Sequence, residues 1–496
     1  MSKQTKYDAF RQTYPEFVYE CYQYDVQSDG LHIVFTFRIG DSILFTPTAF
    51  VPNRPFLNFD QPKETMDTLV FNMGMIELIS YWKCLCPPKV AVKCGSLSDS
   101  QIDFWKKIYF NGLGEFFYIN GIHATIEDFL EIDCPNEGFR GLGEKGCRVS
   151  GIKQTLKPSN PLTFKPSNPQ TLKPLNNQAF TKAFKQSSNQ AIYLVPIGGG
   201  KDSVVTLELL SDFLAGGKRP VPLIMNPRGA TIGCIEAAGY SMDDVLVIHR
   251  TIHPRLLELN SQGCLNGHTP FSAMLAFYTL LASQLSGIPN IALSNESSAN
   301  EATVADTGVN HQYSKSLEFE NDFRSYVAEN VSPQYNYFSF LRPLSELQIA
   351  MLFSRYGKYH PVFRSCNAGS KEDIWCGRCA KCLFAYIILS PFIPPQQLDT
   401  IFGKNMLDDP AMLQFFNELT GHAETKPFEC VGTIDEVNTA LSMAVERWYP
   451  NHRPVLLEGY APVATQSTAL TTLQPRHNLS PALVNLIQQH VQAATT

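Results

Sequence analysis

Charge is in short supply in this chain. Charged residues form only 17% of the 496, against about 25% in an ordinary soluble protein. Neither sign dominates, since 40 Lys and Arg face 46 Asp and Glu for a formal net charge of -6. The lack of a basic excess or a concentrated Lys/Arg run argues against a general nucleic-acid binder, because polyanion binding needs a basic footprint. A local basic pocket for a phosphorylated small molecule stays open. Long apolar runs are also missing. The most apolar windows, Phe271 to Leu285 and Cys382 to Ile393, fall short of the ~20 residues that span a bilayer. No membrane partner is expected. The opening stretch MSKQTKYDAFRQTYPEF has no apolar signal core, so the expected location is cytoplasmic, where thiols stay reduced. The odd count of 13 cysteines also argues against a disulfide framework.

Hydrophobic residues make up 44%, which supports a full core and excludes global disorder. At about 150 residues per domain the length suggests about three domains. Residues 1–152 read as a mixed α+β domain. Leu31 to Arg38 has strand composition, Thr65 to Lys83 has helical periodicity, and Asp99 to Tyr109 is a helix opened by Ser98 or Asp99. Residues 153–190 hold an eight-residue repeat: Leu156 to Thr163, Phe164 to Thr171 and Leu172 to Ala179, each beginning with an apolar residue and Lys-Pro. Repeats this short and proline-rich cannot bury a core, so a linker is expected. From residue 191 strands alternate with helices. The strands are Ala191 to Ile197, Val221 to Asn226, Val245 to His249 and Asn290 to Ser294; the helices include Val204 to Leu214 and Thr269 to Ser286. That order means an α/β domain over 191–395 with a mostly parallel sheet and ligands at the strands' carboxyl ends. Residues 396–450 read as a helical extension. Residues 451–496 read as a mobile polar tail with one helix at Pro481 to Ala493.

Two motifs carry chemistry. Gly198-Gly199-Gly200-Lys201-Asp202-Ser203 follows a strand and opens a helix. Glycines let backbone amides face a phosphate, and the helix start adds its positive end. Lys201 and Ser203 suit phosphate oxygens, and Asp202 suits Mg²⁺ or a helix cap. The loop is too short for a Walker A motif and does not fit the dinucleotide Gly-x-Gly-x-x-Gly. The bland alternative is a glycine-rich turn. The second motif is Cys366 with Cys376-Gly-Arg-Cys379-Ala-Lys-Cys382. Four thiolates with no open position fit a structural tetrahedral Zn²⁺; buried free thiols are the alternative.

The glycine loop resembles the PP-loop of ATP pyrophosphatases, Ser-Gly-Gly-x-Asp-Ser, although Ile197-Gly198 stands where Ser-Gly is the rule. With Phe340 to Ser345 and the cysteine motif, the second half is also similar to 7-cyano-7-deazaguanine synthases. The stretches Phe71 to Lys83 and Lys106 to Gly121, with Leu293-Ser-Asn-Glu-Ser-Ser-Ala-Asn300, resemble another family: the UDP-N-acetylmuramoyl-L-alanyl-L-glutamate epimerases. That resemblance covers about residues 10–150 and 190–450, leaving out the repeats and the tail. It implies a PP-loop (HUP-like) domain behind a separate N-terminal α+β domain. It also implies inversion of the terminal L-Glu of a peptidoglycan precursor to D-Glu, giving AMP and diphosphate.

Cα–H beside a free carboxylate is a very weak acid. Adenylation with ATP and Mg²⁺ removes that negative charge, and an enolate can then form. The chemistry asks for a base and an acid on opposite faces of Cα and an oxyanion donor. Lys201 and Asp202 are assigned to the phosphate side, and His268 is a candidate proton carrier. Cys264 or another thiol is an alternative. Asn295, Glu296 and Glu301 follow a strand on the ligand side and are candidates for Mg²⁺ or substrate. Lys315, Arg324 and Arg342 are candidates for diphosphate or the glutamate side chain; His311 has no better claim. Trp82 and Phe116-Phe117-Tyr118 read as core. The N-terminal domain is expected to hold the UDP-sugar peptide or to close over the adenylate, and coupling to neighbouring peptidoglycan ligases fits such a step. Two competing readings are another carboxylate-adenylating enzyme, deazaguanine synthase-like or an amide-forming ligase, and a non-catalytic RNA-binding zinc module.

Overall fold

The structure is a computed structural model that describes residues 2–134, 192–214, 217–304, 309–464 and 468–495. The repeat segment 153–190 lies outside them. Among the described residues eleven strands form one sheet. In chain order they are β1 (Glu16–Gln27), β2 (Gly30–Ile39), β3 (Ile43–Phe45), β4 (Thr48–Pro52), β5 (Lys89–Val92), β6 (Glu131–Asp133), β7 (Tyr193–Pro196), β8 (Val221–Met225), β9 (Leu246–Thr251), β10 (Asn290–Leu293) and β11 (Asn336–Ser339). The order across the sheet is β11-β10-β7-β8-β9-β4-β2-β1-β5-β6, with β3 beside β2. Pairing is parallel from β11 to β9 and again from β1 through β5 to β6. It is antiparallel in between.

The junction corrects the expectation of a separate N-terminal domain. β4 pairs antiparallel with β9, Thr48 opposite Thr251 and Phe50 opposite His249, so the sheet continues from one half into the other. Side chains alternate across a strand, and the two faces feed two cores. Leu194, Leu223, Leu246, Ile248, Ile291 and Tyr337 enter the core that also holds the N-terminal strands and helices. Their neighbours Val195, Ile224, Val247, Ala292 and Phe338 enter the other, with the C-terminal helices. On the first face the helix Lys63–Trp82 packs on the helix Phe271–Ser286. The ring of Trp105 stacks on Phe277 at 5.0 Å, and Phe104 on Tyr326 at 3.9 Å. Trp82, Phe116 and Phe117 are buried as expected, whereas Tyr118 is exposed against Phe428.

The tail is not loose where it is described. The helix Pro481–Thr495 buries Leu483, Leu486, Ile487 and Val491 and packs on the helices Lys201–Phe213 and Glu346–Ser354. Upstream, Gln348 Nε2 donates to the carbonyls of Leu470 and Thr472. Four apolar side chains at helical spacing outweigh the polar composition that suggested mobility. Ile487→Ala is therefore expected to cost about 2–5 kcal/mol, read as a lower urea midpoint at unchanged slope; a midpoint equal to the parent's rejects the docking. Among the described residues no helix is long and apolar enough to cross a membrane.

Candidate active site

β7, β8, β10 and β11 run parallel, so their carboxyl ends share one edge of the sheet. The glycine loop leaves β7 there, and Gly200 caps the helix Lys201–Phe213 in extended backbone. Gly199 takes φ +85°, in the left-handed region, and a Cβ on it would stand 3.1 Å from the Ala230–Thr231 backbone. Only glycine meets both demands. The Arg364 N–H donates to the Gly199 carbonyl at 2.8 Å, which pins a second segment to the loop.

Below the loop lies a compact charged cluster. Asp202, Glu296 and Glu346 each bring a carboxylate oxygen within 4.8 Å of the other two. Glu296 follows β10 and Glu346 follows β11. Buried Lys201 pairs with Asp202 at 2.5 Å and with Glu346. Burial pushes the Glu346 carboxyl up; Lys201 opposes this, Asp202 and Glu296 reinforce it, and the result is about 8. Burial also works against the Asp202 carboxylate, but Lys201, Lys381 and Lys315 hold its pKa low. Three crowded carboxylates beside ammonium groups could hold a hard divalent cation.

A second cluster adjoins it. Glu115, from the helix Gly114–Asn120, accepts from His311 Nδ1 and lies 3.5 Å from His268 Nδ1. The two imidazoles are 4.4 Å apart. Burial, then the charges of His311 and Lys83, push His268 down to about 3, so it stays neutral. Burial opposes charge on His311 too, but hydrogen bonds with Cys430 and Glu115 raise it to about 9. The charge of Lys315 acts on Cys430, Glu296 and Asp202, so it couples the two clusters electrostatically. A cavity lined by Lys83, Arg250, Asn266, Thr269 and Phe271 lies beside the His268 loop.

The four cysteines meet. Sγ–Sγ distances are 3.8 Å for Cys366–Cys379, 3.7 Å for Cys376–Cys382 and 3.5 Å for Cys379–Cys382. A ZnS₄ tetrahedron with bonds of about 2.3 Å has edges of about 3.8 Å. Hydrogen bonding by Cys382 pulls the Cys379 thiol down to about 5, toward the thiolate a metal needs.

This architecture agrees with the comparisons. The MurL N-terminal domain matches residues 9–144 and 159–340, and the MurL C-terminal domain matches 362–473. The UDP-N-acetyl-alpha-D-muramoyl-L-alanyl-L-glutamate epimerase of Xanthomonas oryzae pv. oryzae is 30% identical over 92% of this chain and 94% of its own length. The chain belongs to the MurL epimerase family. MurL relatives of the same name from Salinispora tropica and a Micromonospora species are 39% and 37% identical, each over 56% of this chain and 62% and 63% of their own lengths. The MurL N-terminal match resumes at residue 159, inside the repeat segment, and the C-terminal match runs past 450. The family thus extends further than the motifs indicate.

Of the candidates from sequence, Lys201, Asp202, Glu296, Lys315 and His268 fall at these clusters. Asn295 is buried and donates to Ser339 Oγ at 3.0 Å. Glu301 pairs with Lys426, away from the carboxylate trio. Ser203 Oγ donates to the Gly200 carbonyl at 3.1 Å. Two arginine assignments need correction. Arg342 is fully buried and spends its guanidinium on the carbonyls of Glu296 and Lys315, on Ser339 and on Glu320. It positions the loop rather than meeting a ligand. Arg324 donates to Asn336 and to the Tyr337 carbonyl at the amino end of β11, the wrong edge of the sheet. The sequence reading also missed Glu115, Glu346, Lys381 and Cys430, and Cys264 lies outside both clusters.

Proposed function

We propose that this chain inverts the terminal L-Glu of UDP-N-acetylmuramoyl-L-alanyl-L-glutamate to D-Glu, using ATP and releasing AMP and diphosphate. Family membership supports the epimerase assignment. The observation that carries ATP use is the glycine loop with Lys201 above Asp202, Glu296 and Glu346 at the carboxyl ends of parallel strands. Asp202, Glu296 and Glu346 would hold Mg²⁺, which supplies charge neutralisation on the phosphates. The loop amides and Lys201 receive the phosphates, and Lys315 and Lys381 add positive charge where the α-phosphate meets the substrate carboxylate. Adenylation there neutralises the carboxylate and acidifies Cα–H. Cys366, Cys376, Cys379 and Cys382 would hold a structural Zn²⁺ that fixes Arg364 and Lys381 at the site.

The test is a single incubation of the protein with UDP-N-acetylmuramoyl-L-alanyl-L-glutamate, ATP and Mg²⁺ in D₂O. D-Glu with deuterium at Cα, and AMP in step with it, is the expected result. Unlabelled L-Glu with no AMP rejects the reading. An ammonia-dependent product would point instead to amide formation.

A further inference from the structure

The glycine loop and its lysines account for adenylation but supply no base for Cα. The second cluster does. Titratable side chains from four distant stretches meet there: Glu115, His268, His311 with Lys315, and Cys430. Their backbone is built to meet. Val304 bridges Thr425, Lys426 N–H donates to the Thr303 carbonyl at 3.3 Å, and Gln312 Nε2 donates to the Val431 carbonyl at 3.1 Å. These bonds lock the strip that carries Cys430 against the strip that carries His311 and Lys315. His311 Nδ1 donates a hydrogen bond to Glu115 Oε2, and Cys430 joins Glu115 in raising His311 against burial. The Gln312–Val431 bond brings the stretch that carries Cys430 beside the Glu115–His311 pair, so carboxylate, imidazole and thiol come together as the set that activates a sulfur nucleophile or base. Burial alone would push the Cys430 thiol up, yet Lys315, His311 and Lys381 bring it down to about 6. Such a cluster is a poor stabilising device, because desolvation offsets its Coulomb gain. Perturbed titration of this kind concentrates at functional sites.

We propose that Cys430, activated by the Glu115–His311 pair and by Lys315, is the base that takes the proton from the glutamate Cα; this rests on the adenylating-epimerase reading above. The Cα–H bond breaks, an S–H bond forms, and the C–H electron pair moves into the acyl carbonyl of the adenylate. The flat enolate takes a proton from water on its other face, and Cys430 returns its own proton to water. One proton leaves and one arrives per turnover. Lys315 reaches both the thiol and the carboxylate trio, so the base sits beside the activated acyl group. His268, which contacts Glu115 and His311, gives up the role the sequence suggested for it. His311 is a positioning residue that acts through Cys430.

The experiment follows Cα deuterium uptake and substrate-dependent ATP–diphosphate exchange in the full chain. In Cys430→Ser, deuterium uptake should fall by about 10²- to 10⁴-fold, while diphosphate exchange persists. Cys264→Ser, outside the cluster, should match the parent in both. In His311→Asn the acid limb of the uptake–pH profile should move up from about 6 toward the ordinary thiol value, an effect that mere loosening of the fold does not produce. Iodoacetamide on the native enzyme is the measurement that does not depend on a folded variant. Cys430 should be labelled near neutral pH and shielded by substrate with ATP. Parent-like deuterium uptake in Cys430→Ser, or labelling of Cys430 that substrate and ATP leave unchanged, overturns the proposal alone. Absence of deuterium uptake in the parent overturns the functional reading and the proposal with it.

Discussion

Lys201→Ala is expected to lower AMP release by about 10²- to 10³-fold, the usual cost of removing one preorganised charge donor. The lysine is buried and bonded to both Asp202 and Glu346, so no water-exposed cation can take its place. Its loss leaves three carboxylates facing one another. The same variant should show a pH-dependent stability defect with a defined sign. Glu346 already titrates near 8 against an ordinary 4.5. A carboxyl raised on folding binds more protons folded than unfolded, so stability falls as pH rises through that window. Removing Lys201 pushes Glu346 further up. Urea unfolding should therefore separate parent and variant most at pH 8 and above, and least below pH 4.5. A variant with parent-like AMP release rejects the phosphate role of the loop. Equal stability losses at both pH values reject the shared-charge account of the trio.

Cys379→Ser should remove close to one zinc per chain and lower the unfolding temperature sharply. Structural zinc binding is worth about 10–16 kcal/mol in small peptides at neutral pH, comparable with the whole margin of about 5–15 kcal/mol for a folded domain. The defect should also reach the site. Cys366 follows Arg364 and Ser365, which lie against Gly199 and Gly200. Cys379 caps the helix Ala380–Leu389 that carries Lys381. AMP release should fall with the metal, and excess Zn²⁺ should not restore either. Metal analysis beside thermal unfolding checks this. A parent protein that is fully folded and metal-free would falsify the zinc assignment.

What the sequence made legible is what is local. The glycine loop and Cys376, Cys379 and Cys382 each sit within seven residues, so spacing alone points to a phosphate loop and a thiolate cluster. The helix start at Ser98 or Asp99 is read the same way, and the structure makes Ser98 the cap, with Gln101 completing a capping box. Cys430 and Glu115 belong to ordinary-looking stretches and acquire meaning only when the fold brings them to His311. Glu346 looks like a helix-opening acid after the Ser345 cap, and its role depends on the neighbouring ends of β7 and β10. Arg342 carries the charge of a ligand-binding residue, but the carbonyls it meets decide otherwise. β9 reads as one more parallel strand, and nothing in Leu246 to Thr251 announces that its far edge accepts β4 in the opposite direction.

That shared edge changes how the two halves of the chain depend on each other. The chain leaves the sheet at β6, an outermost strand, and re-enters at β7 in the interior. β6 and β7 are therefore pieces of one sheet, not of two bodies. A polypeptide ending near residue 134 would present the open edge of β4 and the helix Lys63–Trp82 without its partner, and would be prone to self-association. Supplied as two chains, the pieces would be drawn back together by the β4–β9 ladder and the apolar helix face behind it. The proposed proton-transfer site would be completed by that reunion, since Glu115 comes from one piece and Cys430 from the other.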